Sequence, residues 1–345
     1  MEQNAEILKK AITGSLKIIE QEREREIISR RFGLKGNRET LEQIGETLSI
    51  TRERVRQLEK AILIHLQITA EENGIPELAP AEKILVRNLT EMGRVAKLSD
   101  LANKVYNKES TASERMGIYF IATFASNLTV VEENDSYNAA VGIADYGDSA
   151  KIKARVDEIV SVITKNKKPM SLDELDNALN YEHPDHIKAI ASISKQLASL
   201  NGMWGLAKWP AVNPRNIRDK IFVILENNQK PMHFSEIAQE IRESNFKRKN
   251  VTVQAIHNEL IKDSRFVLIG RGIYALSSWG YKKGTISEII TDILTKAGKP
   301  LTREEIVKEV LHTRKVKETT ILLNLQNKKL FMKVDRNLYT IATNE

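Results

Sequence analysis

From its middle onward this chain repeats a Lys-Pro dipeptide, at Lys168-Pro169, Lys230-Pro231 and Lys299-Pro300, at intervals of about 62 and 69 residues. A period of that size marks a repeated supersecondary unit. Each dipeptide follows an apolar pattern of helical spacing, over residues 156–163, 217–225 and 286–294. Each precedes a second helical pattern with acids near its start, at Asp173 and Glu174, at Glu236, and at Glu304 and Glu305. A third helix is predicted around residues 187–200, 253–262 and 319–326. Every unit then closes on a predicted β-hairpin. In one, residues 266–269 and 273–276 flank Gly270-Arg271-Gly272; in the last, residues 330–334 and 338–341 flank Asp335-Arg336-Asn337. An aromatic returns on the second strand as Trp204, Tyr274 and Tyr339, placed as hairpin core rather than as base-stacking platforms. Three helices and a hairpin make a winged helix. A diverged copy without Lys-Pro is expected over residues 80–141, with 98–105 as its second helix and 128–131 opening its hairpin.

Residues 40–66, TLEQIGETLSITRERVRQLEKAILIHL, have a different character. They predict two helices joined by a short turn. Thr40 N-caps the first and Gln43 completes a capping box. Leu41, Ile44 and Leu48 recur at helical spacing, and Gly45 leaves room for a second helix to come close. Ser49 and Ile50 make the bend. Thr51 caps the second helix, whose buried stripe is Val55, Leu58 and Ile62. The opposite face carries Arg52, Glu53, Arg56, Gln57 and Lys60 as one strip starting at the helix N-terminus. A helix-turn-helix presents that end to the major groove. There arginine forks onto guanine, glutamine onto adenine, and glutamate accepts from cytosine. The same pattern also suits a plain helical hairpin with a solvated charged face.

The residues go further than their spacing. Thr40-Leu41-Glu42-Gln43-Ile44-Gly45, followed by Ile50-Thr51-Arg52-Glu53-Arg54-Val55-Arg56-Gln57-Leu58-Glu59, resembles region four of the sigma-seventy class of bacterial RNA polymerase sigma factors. The upstream run from Arg23 to Leu34 is similar to the helix that precedes that motif. The resemblance implies that Arg52, Glu53, Arg56 and Gln57 read bases of the minus-thirty-five promoter hexamer; Thr51, Arg54 and Lys60 beside them are candidate backbone or secondary contacts. It also implies core RNA polymerase as a partner. Residues from Trp209 to Tyr281 resemble the HARE helix-turn-helix, a winged helix that also occurs in the delta subunit of RNA polymerase, in restriction systems and in chromatin proteins. In that unit Lys247, Arg248 and Lys249 precede a helix holding Thr252, Gln254, His257 and Asn258, and Arg271 stands at the hairpin tip. Cations before a helix suit phosphates, and the amides and hydroxyl suit bases. Lys247, Arg248, Lys249, Thr252, Gln254 and Arg271 are therefore candidate secondary DNA contacts, with protein binding as the alternative that winged helices also offer. Arg314, Lys315 and Lys317 occupy the corresponding place in the last unit.

The whole chain limits the alternatives. Its 345 residues, 41% hydrophobic, suffice for several cores. The net charge of +7 favours a polyanionic partner, although nucleic acid, an acidic membrane and plain solubility all fit it. Without cysteine there is no disulfide framework, thiol nucleophile or cysteine zinc site. His183 and His186 lack carboxylate support, so no metal and no cofactor is expected. No phosphate-cradling glycine loop, nucleophile elbow or HExxH helix occurs, and no enzyme is expected. Nothing resembles a signal peptide, and no apolar run reaches the roughly 18 residues that span a bilayer, so a cytoplasmic protein without a membrane partner is expected. An aromatic-rich helical stretch that melts a promoter is also missing. The predicted fold is mainly α, with a helix-turn-helix domain (1–70), a linker and diverged winged-helix unit (71–150), and winged-helix units at 151–211, 212–283 (HARE-type) and 284–345. The expected function is promoter DNA binding in or on transcription initiation. The rivals are a polymerase-associated interaction protein and an accessory DNA-binding subunit of a restriction system.

Overall fold

Acids near a helix start have a local use, and it explains much of the repeat. Glu174, Glu236 and Glu305 each accept from the backbone of the residue before their helix, closing capping boxes with Ser171, His233 and Thr302. The computed structural model describes residues 2–181, 184–281 and 283–342. It is mainly helical, 58% of the described residues, with small antiparallel sheets. Two compact units are formed, Met1–Lys208 and Trp209–Glu345.

The first unit begins with α1 (Glu2–Ile18), α2 (Glu22–Arg31), α3 (Leu41–Leu48) and α4 (Arg52–Glu71). A winged helix follows: α5 (Leu78–Glu91), β1 (Val95–Lys97), α6 (Leu98–Tyr106), α7 (Ala112–Phe124), β2 (Leu128–Val131) and β3 (Ala140–Ile143), in sheet order β1-β3-β2. One core joins the two parts, with Leu8, Ile28, Phe32, Ile62 and Leu66 packed with Leu85, Leu101, Phe120 and Phe124. The Phe32 and Phe120 rings meet at 5.1 Å. The tract expected to be a linker, residues 71–80, buries Ile75 and Leu78 in this core. A second winged helix closes the unit: α8 (Ser149–Asn166), α9 (Leu172–Leu179), α10 (Pro184–Ile193), β4 (Leu197–Leu200) and β5 (Met203–Leu206). Here the third helix predicted over 187–200 is too long. It ends at Ile193, and Leu197–Leu200 is a strand. The reason lies in Asn201 and Gly202, both at positive φ (51° and 80°). Two such residues make the two-residue turn that matches strand twist, so the preceding residues pair instead of coiling.

The second unit holds two further winged helices. The first comprises α11 (Ile217–Asn228), β6 (Met232–His233), α12 (Phe234–Glu243), α13 (Val253–Lys262), β7 (Phe266–Gly270) and β8 (Ile273–Leu276). The second comprises α14 (Ile286–Ala297), β9 (Leu301–Thr302), α15 (Arg303–Thr313), α16 (Glu318–Leu325), β10 (Phe331–Asp335) and β11 (Leu338–Ile341). Their sheets run β6-β8-β7 and β10-β11-β9.

The two sequence signals of the repeat are one structural pair. The residue after each Lys-Pro faces the returning aromatic across the sheet: Met170 opposite Trp204, Met232 opposite Tyr274, Leu301 opposite Tyr339. The backbones of Met170 and Trp204 exchange both hydrogen bonds, at 2.8 and 2.7 Å. Trp204 and Tyr274 are buried, as expected of hairpin core.

Candidate nucleic-acid interface

The helix-turn-helix at residues 40–71 forms by local rules. Thr40 accepts from the Gln43 amide while Gln43 accepts from Thr40. Ser49 takes the left-handed conformation that ends α3 (φ 53°), and the Ile50 amide donates to the Gly45 carbonyl at 2.9 Å. A Cβ on Gly45 would lie 2.7 Å from the Ile50 oxygen, so only glycine permits this turn. Thr51 Oγ1 accepts from the Arg54 amide and starts α4. A small core of Ile27, Ile44 and Val55, flanked by Leu41, Leu48, Ile50 and Leu58, sets the angle between α3 and α4. Two ties from α2 brace the pair. Arg23 donates to the Leu48 carbonyl at 2.7 Å, and Arg31 pairs with Glu59 on α4 at 3.1 Å.

This scaffold leaves Arg52, Glu53, Arg54, Arg56, Gln57 and Lys60 exposed on α4. The strip is internally paired. Arg56 forks onto both oxygens of Glu53 at 2.6 and 2.8 Å, and Gln57 donates to Glu53 at 3.4 Å. The Arg56 hydrogen bond holds the Glu53 carboxyl below the usual carboxylate range, and Glu53 raises Arg56 in return. Arg54 donates to Gln57 at 3.5 Å, and Arg52 stands 4.0 Å from Glu42. The arrangement places forked donors and one acceptor side by side at a helix N-terminus, open to water.

In the second unit, Thr252 caps α13 by accepting from the Ala255 amide. Gln254 and Asn258 are exposed one turn apart and joined at 3.0 Å. Arg271 is exposed in the turn between β7 and β8. His257 is half-buried, between the rings of Phe234 (4.8 Å) and Tyr274 (6.2 Å). Lys247, Arg248 and Lys249 are all exposed on the loop before α13. Under them lies Lys220, on α11, whose Nζ donates to the carbonyls of Lys247 and Arg248, each at 2.8 Å. Sequence reasoning does not single out Lys220, although it sits on the apolar stripe with Ile217, Ile221 and Ile224.

The last unit departs from expectation. Arg314 is buried, and its guanidinium donates to the carbonyls of Leu268 and Gly284. The Lys315 amide donates to the Ile269 carbonyl at 3.1 Å. Arg314 therefore serves the packing of α15–α16 against β7 and is withdrawn from phosphate; Lys315 and Lys317 remain exposed. His183 lies outside the described residues, and His186 packs edge-on to Tyr146 at 5.4 Å. Among the described residues no group of three or more His, Asp or Glu is placed to hold a metal, and no helix is long and apolar enough to cross a membrane.

Two family models match parts of this chain. Residues 21–67 match the family described as sigma-70, region 4, which takes in α2, α3 and most of α4. Residues 216–279 match the HARE-HTH family, described as a helix-turn-helix domain of ASXL and restriction endonuclease proteins, which runs from α11 through β8. Both are helix-turn-helix domains of DNA-binding rather than catalytic type. The chain thus joins a sigma-70 region 4 helix-turn-helix to a HARE-type helix-turn-helix.

Proposed function

We propose that this protein is a transcription factor that reads a minus-thirty-five-type promoter element and acts with core RNA polymerase, in the cytoplasm, in or on transcription initiation. The observation that carries the reading is the α4 strip. Arg52, Glu53, Arg56 and Gln57 stand exposed at the start of a helix fixed by capping and by the Gly45 turn. In this reading Arg56 exchanges its fork on Glu53 for a fork on guanine, so a matching duplex replaces a bond that is already there. A wrong base leaves the pair intact and gains little. Thr51, Arg54 and Lys60 steady the helix on phosphates, and the second unit adds contacts of its own.

Melting DNA is assigned to another factor, because unpaired bases need stacking surfaces. Permanganate footprinting tests this division. Core polymerase with this protein alone leaves promoter thymines unreactive, whereas adding a complete sigma factor yields an opening that this protein alters. Reactive thymines with core polymerase and this protein alone refute the accessory role. A second reading, docking of α4 on a polymerase subunit, is favoured by Ile64 and Ile68, exposed one turn apart on that helix. It predicts that Arg56→Ala leaves promoter binding unchanged while Ile64→Asp abolishes co-purification with polymerase.

A further inference from the structure

Lys220 is a buried cation with no carboxylate partner among the described residues. It is 4% exposed, and its two acceptors are backbone carbonyls. Burial of an ammonium is unfavourable without a counter-ion. Burial, and then the like charge of Arg248, push Lys220 below the usual lysine value. The two bonds also fix the loop's polarity. Successive carbonyls turn inward to one ammonium, and Arg248 takes a left-handed conformation, φ 54°, that carries strain in a non-glycine residue. The side chains of Lys247 and Arg248 consequently face solvent, beside an exposed Lys249 whose Nζ donates to the Ser244 carbonyl at 3.3 Å, a few residues before the α13 N-terminus, whose partial charge is also positive.

We propose that Lys220 is the internal strut of a preformed site for the sugar-phosphate backbone of duplex DNA, holding Lys247, Arg248 and Lys249 outward before the polyanion arrives. The inference rests on the reading of the second unit as a DNA contact. A strut made of charge suits this task better than an apolar one. A buried charge is screened by salt much less than an exposed one, so its field adds to that of the loop. A phosphate on the loop offsets the like charges that the free protein tolerates.

The test is a salt titration of the full chain on a mixed-sequence duplex, reading the slope of log K against log salt. The triple variant Lys247→Ala, Arg248→Ala, Lys249→Ala flattens the slope by about one unit for each phosphate no longer neutralised. Lys220→Met leaves the loop's sequence whole, yet it reproduces most of that flattening and adds nothing in the triple background. An unchanged slope in Lys220→Met, beside an effect of the triple variant, overturns the strut. Additive effects in the combined variant overturn it as well, since they mean general damage. No effect of the triple variant refutes DNA contact by this unit, and the inference with it. Should Lys220→Met fail to fold, backbone order parameters of the wild-type chain decide. Values at 247–249 near about 0.85 without DNA support a preformed loop, and values below about 0.6 overturn it.

Discussion

The α4 strip and the 247–249 loop carry their charge in opposite ways. On α4 the cations lie on a regular helix, and the strongest donor, Arg56, is held by its neighbour Glu53. On the loop the constraint comes from below, through backbone carbonyls, and the three cations are exposed without a carboxylate, Lys249 resting on the Ser244 carbonyl. The first arrangement stores information in side-chain identity, because a forked donor must trade one partner for another. The second stores only position, because a phosphate is the same at every step of a duplex. On the function proposed above, one chain would hold a surface for selecting a sequence and another for gripping any sequence.

The two surfaces separate most clearly when one of them is unfolded alone. Ile44→Ala removes the centre of the small core between α3 and α4 and is expected to destabilise that element by about 2–5 kcal/mol. Sequence-selective binding is then lost, while the salt-dependent binding of the second unit persists; competition against scrambled duplex separates the two. The converse perturbation is Asp263→Asn. Asp263 accepts from Arg265 at 2.8 Å, and Arg265 also reaches Asp219 at the base of α11. The Arg265 hydrogen bond lowers the Asp263 pKa from 3.8. A lowered carboxylate contributes its stability above the unfolded value and loses it as pH falls through the folded one. The substitution therefore costs about 1.5–3 kcal/mol at neutral pH and nothing at pH values below both pKa values, as urea melts at the two pH values would show.

Finer substitutions sharpen the contrast. Arg56→Ala or Gln57→Ala weakens binding to a minus-thirty-five-like duplex by about 1–3 kcal/mol, with a smaller loss on scrambled DNA. Equal losses on the two, measured by fluorescence anisotropy, would demote these residues to backbone contacts. Smallest of all, Arg271→Ala flattens the salt slope by about one unit on every duplex alike. A sequence-dependent loss there would mean that the wing reads bases too.

The legibility of these features follows from where their causes lie. Caps, the Gly45 turn and the α4 strip depend on residues three to five apart, so spacing alone exposes them. The order of helices and strands in the repeats is equally local. Lys220 and Arg314 are different. Lys220 lies on an apolar stripe and Arg314 just past the end of one, and periodicity does not decide whether such a long cation turns inward to carbonyls or outward to water. Lys220 needed the 247–248 backbone, and Arg314 needed the edge of β7, both remote in sequence. The overlong third helix of the 149–206 unit has a simpler cause, since the apolar spacing of 187–200 masked the Asn201-Gly202 turn.

The pairing of Met232 with Tyr274 and of Leu301 with Tyr339 has a consequence for how such units can vary. The pair ties the start of the second helix to the end of the hairpin, so whatever lies between the second and third helices is free to change length. That tract is residues 244–252 in one unit and 314–317 in the next. Doubling a loop adds only about 0.6 kcal/mol of closure entropy, so the cost of such drift is small. The longer tract rises over a lysine and shows three cations to solvent; the shorter lies along a neighbouring strand as mortar. A common joint thus leaves one copy of the scaffold with its cations exposed above Lys220 and the other with Arg314 buried against β7.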